Sequence, residues 1–228
     1  MGRQLTRPKT ECQQARCTRR PTHVIRDAVR GLTVILLVAA FGCGRAAYRN
    51  HPPTGGANWV ALGDSLTAGT GAREGFDYPA QLGRRLGRTI YNYGVPGDTT
   101  ADALARLDDV LAADPRVALV CLGGNDSLQR IPPETTFANL DRILERLHAH
   151  GTCVVLIGIR SATALDQYHK RFRQLARHHR VLYVPNILDG VLNQRHLMAD
   201  QIHPNEAGYE FIAARLEHIL RAEGVATY

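Results

Sequence analysis

Serine is scarce in this sequence. Ser65, Ser127 and Ser161 are the three in 228 residues, so serine chemistry has few candidates. Cysteine is limited to Cys12, Cys17, Cys43, Cys121 and Cys153, which build no disulfide framework. Cys12 and Cys17 lack the partner pair that a metal site of that spacing needs. Cys121 and Cys153 lie in apolar runs, where a free cysteine is commonly a small buried hydrophobe. The apolar run Gly31–Gly42 is twelve residues long, short of the roughly 20 that span a bilayer. There is no internal repeat, no low-complexity tract and no P-loop. The glycine turn Leu122-Gly123-Gly124-Asn125 lacks the spacing of a dinucleotide fingerprint. The net charge of +7 is nearly all in residues 1–42, where eight Lys/Arg face only Glu11 and Asp27. The remainder carries +1, which excludes a nucleic-acid footprint there.

What is present begins with an export signal. Basic residues precede the apolar run, and Ala40 and Gly42 stand three and one before Cys43, the small residues a signal peptidase requires. Cys43 as the new first residue resembles a bacterial lipoprotein site, with lipidation at Cys43 the expectation. Plain secretion and an uncleaved anchor are the alternatives. A start nearer Val24 or Val29 would give a signal of ordinary length. Residues 44–57 are rich in Gly and Pro and poor in apolar groups, and read as a tether. The expected organisation is a leader over 1–42, a tether over 43–57 and one domain over 58–228.

From Trp59 onward the pattern alternates between strand and helix. Strands are expected at Trp59–Leu62, Thr89–Tyr93, Val117–Leu122, Thr152–Ile159 and Val181–Val184. Helices are expected at Tyr78–Leu86, Thr99–Ala112, Glu134–His150, Leu165–His179 and Ala207–Arg221. Continuously apolar strands such as Val117–Leu122 suit a parallel sheet covered on both faces. Such alternation implies an α/β protein, a three-layer α/β/α sandwich around a parallel sheet.

Three strand ends carry unusual loops: Gly63-Asp64-Ser65, Gly94-Val95-Pro96-Gly97-Asp98-Thr99-Thr100 and Gly123-Gly124-Asn125-Asp126. All leave the same edge of a parallel sheet, where open α/β sheets place their ligands. A fourth segment, Asp200-Gln201-Ile202-His203-Pro204-Asn205, precedes the last helix. Ser65 in its turn is either a helix cap or a nucleophile. As a nucleophile it needs a base. His203 can supply one, with Asp200 fixing its tautomer. The backbone N–H groups of Ser65 and Gly97 and the amide of Asn125 suit a developing oxyanion. Asp64 and Asp98 read as turn braces, and Asp126 as either a brace or a support for Asn125. Asp166-x-x-His169 repeats the Asp-x-x-His spacing, but in a charged helical stretch that reads as surface.

Taken in order, Gly63-Asp64-Ser65-Leu66, Gly97, Gly123-Gly124-Asn125-Asp126 and Asp200-x-x-His203-Pro204 resemble the blocks of the GDSL esterases, or SGNH hydrolases. The resemblance covers about residues 58–222. It implies a flavodoxin-like fold with a five-stranded sheet of order 2-1-3-4-5 and no metal or cofactor. It also implies Ser65, Asp200 and His203 as catalytic residues, and an oxyanion hole from Ser65, Gly97 and Asn125. The spacing is most similar to the arylesterase, thioesterase I and lysophospholipase branch; Pro96 departs from it and stiffens its loop. A carboxylic ester hydrolase acting on small esters, as a monomer tethered through Cys43, is the expectation. A carbohydrate O-acetyl esterase and an idle envelope binding lipoprotein are the alternatives. The loops Leu128–Thr136, Arg160–Asp166 and Leu188–Met198 are expected to line the pocket.

Overall fold

Five parallel strands form one sheet in the order β2-β1-β3-β4-β5 in the computed structural model. It describes residues 48–159 and 165–228. The strands are β1 Asn58–Gly63, β2 Ile90–Gly94, β3 Pro115–Cys121, β4 Cys153–Ile157 and β5 Leu182–Val184. The helices are α1 Ser65–Ala68, α2 Tyr78–Leu86, α3 Thr100–Ala105, α4 Leu107–Ala112, α5 Gly124–Leu128, α6 Pro133–Ala149, α7 Leu165–His179 and α8 Glu206–Ala222.

Successive strand residues point to opposite faces, and each face finds its own helices. Trp59 and Ala61 of β1 pack with Tyr78 and Leu82 of α2 and with Tyr209, Ile212 and Leu216 of α8. Val60 and Leu62 pack with Ala103 of α3, Leu107 of α4, Leu140 and Leu144 of α6 and Phe172 of α7. Burying one such side chain fully is worth about 1.5–3 kcal/mol, so the two cores hold the sheet between them. Cys121 and Cys153 are free and buried, as their apolar runs imply. Burial pushes the Cys153 thiol up to about 12, which leaves it inert as a nucleophile.

Helix α2 shows how local sequence sets an element. The Asp77 side chain accepts the Ala80 N–H at 2.9 Å, Pro79 occupies the first turn, and Gly87 closes the helix at φ 68°. The expected single helix Thr99–Ala112 is instead two. It breaks at Arg106, whose guanidinium donates to Asp98 at 2.7 Å and to the carbonyls of Tyr93 at 2.9 Å and Gly63 at 3.2 Å. That cation ties together the carboxyl ends of β1 and β2.

The expected tether also reads differently where it is described. Residues 48–57 are laid along the domain rather than free. The Arg49 N–H donates to Arg180 O at 2.7 Å, Thr54 N–H to Gly151 O at 3.0 Å, and the Asn50 amide to His148 O and Thr152 O. The His51 ring stands edge-on to Tyr48 and Tyr228. With few apolar groups to bury, this stretch is held by backbone and amide hydrogen bonds. The leader 1–42, Cys43 and residues 44–47 lie outside the described residues, as do Ser161 and the rest of 160–164.

Candidate active site

Strand β1 pairs with β2 on one side and β3 on the other, so the strand order reverses beside it. The crevice at such a switch point, beyond the carboxyl ends of the strands, is where ligands bind in open α/β sheets. Ser65 stands there as the first residue of α1. The cap of α1 is Asp64, whose carboxylate accepts the Leu66 N–H at 3.0 Å, so the Ser65 hydroxyl is not used as a cap. Gly63 is what lets α1 fold back on its own strand. A Cβ there would lie 2.0 Å from Thr67 Oγ1 and 2.7 Å from Cys121 O.

His203 reaches Ser65 from the segment before α8. Its Nε2 lies 3.0 Å from Ser65 Oγ, and its Nδ1 lies 2.8 Å from Asp200 Oδ2. The other Asp200 oxygen accepts the Ile202 and His203 backbone N–H groups, each at 2.7 Å. This Asx turn explains the Asp-x-x-His spacing, because it aims the second oxygen at the ring. The His203 backbone N–H, then its ring and the Ile202 N–H, hold the Asp200 carboxyl down at about 2. An ionised Asp200 accepts from Nδ1–H, which leaves Nε2 to accept the Ser65 hydroxyl proton. Gly71 backs this segment: a Cβ there would lie 2.6 Å from Pro204 O and 3.3 Å from His203 Cβ. Nothing in the sequence pattern singled Gly71 out.

The Gly97 loop is a tight turn. Asp98 N–H donates to Val95 O at 3.1 Å, with Pro96 and Gly97 between and Gly97 at φ 89°. Pro then Gly at positive φ is the type II pattern, so Pro96 fits the turn. Asn125, in α5, donates one amide N–H to Asp98 O at 2.9 Å. Its neighbour Asp126 is fully buried and accepts the Thr100 N–H at 2.9 Å and the Thr100 hydroxyl at 2.5 Å. Asp126 thus locks the Gly97 loop to the helix that carries Asn125. The backbone N–H groups of Ser65 and Gly97 have no acceptor among the described residues.

Asp64 is 3% exposed, and its burial pushes the carboxyl up to about 6; the Leu66 N–H and His203 pull the other way. Since that lies above the unfolded 3.8, the group is fully tolerated below that value. It costs stability as pH rises through about 6.

A cleft of about 190 Å³ opens beside Ser65 and Asn125, lined largely by Leu66, Leu128, Ile159, Leu188, Leu192 and Ile202. Leu128, Leu188 and Leu192 come from two of the expected loops. Leu66 and Ile202 lie inside two of the signalled blocks but were not expected as walls, and Ile159, just past β4, came from a stretch without a pocket signature. Within the third loop, 160–164 lie outside the described residues. Thr136, expected at the wall, is instead a fully buried residue of α6. Ser127 has no histidine partner among the described residues. His169 sits near Tyr183, in a separate groove with Arg215 and Asp189, away from the Ser65 cleft.

The family model of the GDSL-like lipase/acylhydrolase family matches residues 61–211. An arylesterase of Vibrio mimicus is 31% identical over 166 residues, covering 68% of this chain and 83% of the relative. The thioesterase 1/protease 1/lysophospholipase L1 of Escherichia coli (strain K12) is 34% identical over 163 residues, 68% of this chain and 78% of the relative. Among solved structures, the crystal structure of TesA superposes with TM-score 0.69 at 28% identity, covering 73% of this chain and 99% of the other. AlinE4, an SGNH-hydrolase family esterase, does so with TM-score 0.58 at 34% identity, covering 73% and 97%.

Proposed function

This chain belongs to the GDSL-like lipase/acylhydrolase family and is an ester-hydrolysing enzyme; from that premise we propose that it cleaves esters of apolar acyl chains through an acyl-enzyme on Ser65. The observation that carries this reading is the relay from Ser65 Oγ to His203 Nε2 at 3.0 Å and from Nδ1 to Asp200 at 2.8 Å, beside an apolar cleft.

In this mechanism Ser65 Oγ attacks the carbonyl carbon as its proton passes to His203 Nε2. Asp200 stabilises the imidazolium and keeps the ring oriented. The oxyanion meets the Ser65 and Gly97 N–H groups and the second amide hydrogen of Asn125. His203 then protonates the leaving alcohol or thiol. A water deprotonated by the same nitrogen releases the acid and frees Ser65. Asn125→Ala is expected to lower kcat by about 10²–10³ while KM for a short nitrophenyl ester stays near native. A variant that keeps kcat and loses only thermal stability would make Asn125 a turn brace.

Apolar walls favour an acyl chain over a sugar ring, whose hydroxyls would lose water without replacement. Among the described residues, none lining the cleft carries an aromatic ring to stack on a sugar. Nitrophenyl esters of rising chain length are therefore expected to show kcat/KM increasing beyond acetate, each buried methylene being worth about 0.8 kcal/mol. Acetylated sugars are expected to be poor. A preference for acetylated sugars over every nitrophenyl ester would replace this reading with the O-acetyl esterase.

No helix among the described residues is long and apolar enough to cross a membrane. Export followed by lipidation at Cys43 remains part of the proposal, supported by the residues around that position. Detergent partition of the mature wild type, lost in Cys43→Ser, is its readout; equal partition of the two would remove it.

A further inference from the structure

Helices α6 and α7 pack side by side on the face of the sheet that holds Leu140 and Phe172. Their seam gathers metal-ligand groups that ester hydrolysis does not use. Asp141 of α6 and His178 and His179 of α7 each offer one ligand atom, all within 4.8 Å of one another. The partners already face each other: His179 Nε2 lies 2.7 Å from Asp141 Oδ1. The His178 ring stands edge-on to His179, with centroids 5.0 Å apart. Asp141 and His178 also line a solvent-open groove with Phe137, Arg171, Gln174 and Leu175, so an ion has an entry path.

A third imidazole stands close by. His148 lies two turns after Asp141 on α6, hence on the same face, and its ring centroid is 5.6 Å from that of His179. It is 3% exposed, and neither ring nitrogen has a hydrogen-bond partner among the described residues. A buried imidazole with both nitrogens idle is unusual in a finished core.

We propose that Asp141, His178 and His179 form a binding site for a divalent transition-metal ion, with zinc the best fit, that clips α6 to α7. Two imidazoles and one carboxylate are a donor set suited to zinc, cobalt or nickel; calcium and magnesium prefer all-oxygen shells. Three protein ligands leave a fourth position for water. Binding replaces the His179–Asp141 hydrogen bond with two bonds to the ion. Arg171, paired with Glu134, lines the same groove. None of the three ligands lines the Ser65 cleft, so the ion acts on stability and takes no part in the reaction.

The test is calorimetric titration of the chelator-treated full chain with Zn²⁺, with Co²⁺ absorption as a second probe. His178 is exposed, so His178→Ala leaves the core intact. Asp141→Asn keeps an acceptor for His179. One equivalent of Zn²⁺ is expected to bind and to raise Tm. Each variant should weaken binding at least about tenfold and retain native ester hydrolysis in metal-free buffer. No binding at about 1 mM Zn²⁺, an affinity near −4 kcal/mol, would overturn the proposal. So would binding of equal strength in wild type and both variants, which would put the ion on other groups such as the leader cysteines.

Discussion

Ser65→Ala is expected to lower kcat for a nitrophenyl ester by about 10⁶-fold, the loss seen when a serine nucleophile is removed from a working relay. The reason is local. Ser65 Oγ lies within hydrogen-bond distance of His203 Nε2, and no other hydroxyl among the described residues bonds to that nitrogen. The substitution removes one hydrogen bond at the mouth of the cleft and leaves the Asp64 cap and the Gly63 fold-back untouched. Its effect on folding should stay within about 1 kcal/mol. Activity and stability therefore separate: near-native Tm with turnover cut to the residual that binding and the oxyanion donors alone supply. Ser127→Ala, in α5 without a histidine partner, should be indistinguishable from wild type in kcat. A Ser65→Ala protein with more than a hundredth of wild-type kcat would contradict the assignment.

His203→Ala should lose kcat on a similar scale, since nucleophile and base act as a unit and their losses do not add. His169→Ala tests the other Asp-x-x-His pair and should be close to wild type, because His169 sits beside Tyr183. The pH profile adds a second readout. Turnover needs Nε2 free to accept a proton, so activity falls in acid. Asp200, held at about 2, stays ionised throughout that range and cannot produce the fall. Asp64, raised to about 6 by burial, does titrate there. Asp64→Asn, which keeps an oxygen for the Leu66 N–H, separates the two: the acid limb should persist. An acid limb that vanished in Asp64→Asn would transfer the pH dependence from the imidazole to that carboxyl.

Which parts of this were legible follows from which forces set them. The α2 and α7 boundaries, Tyr78–Leu86 and Leu165–His179, match the expected ones to the residue, and for α2 the signals of Asp77, Pro79 and Gly87 are local. The sheet order followed from the family resemblance and is the one observed. The Asp200–His203 pair was legible because its Asx turn closes within four residues. The break at Arg106 was not, since it depends on carbonyls from two strands brought together only in the fold. The tether reading failed over 48–57 for a related reason. Gly and Pro content signals the absence of a core but is silent on backbone hydrogen bonds to Gly151 and Arg180. The candidate oxyanion donors were named from residue types, but the lock between their loops, Asp126 on Thr100, appears only in three dimensions. The cleft walls Leu66, Ile159 and Ile202 were missed because an apolar residue lining a crevice looks, in sequence, like one in a core.

Ser65 is the proposed site of the covalent intermediate. Incubating the enzyme with a serine-directed phosphonate, then digesting it and mapping the adduct by mass spectrometry, tests this directly. One adduct per chain is expected, on the peptide containing Gly63-Asp64-Ser65, and none in Ser65→Ala. An adduct on Ser127 or Ser161, or labelling that survives Ser65→Ala, would contradict it.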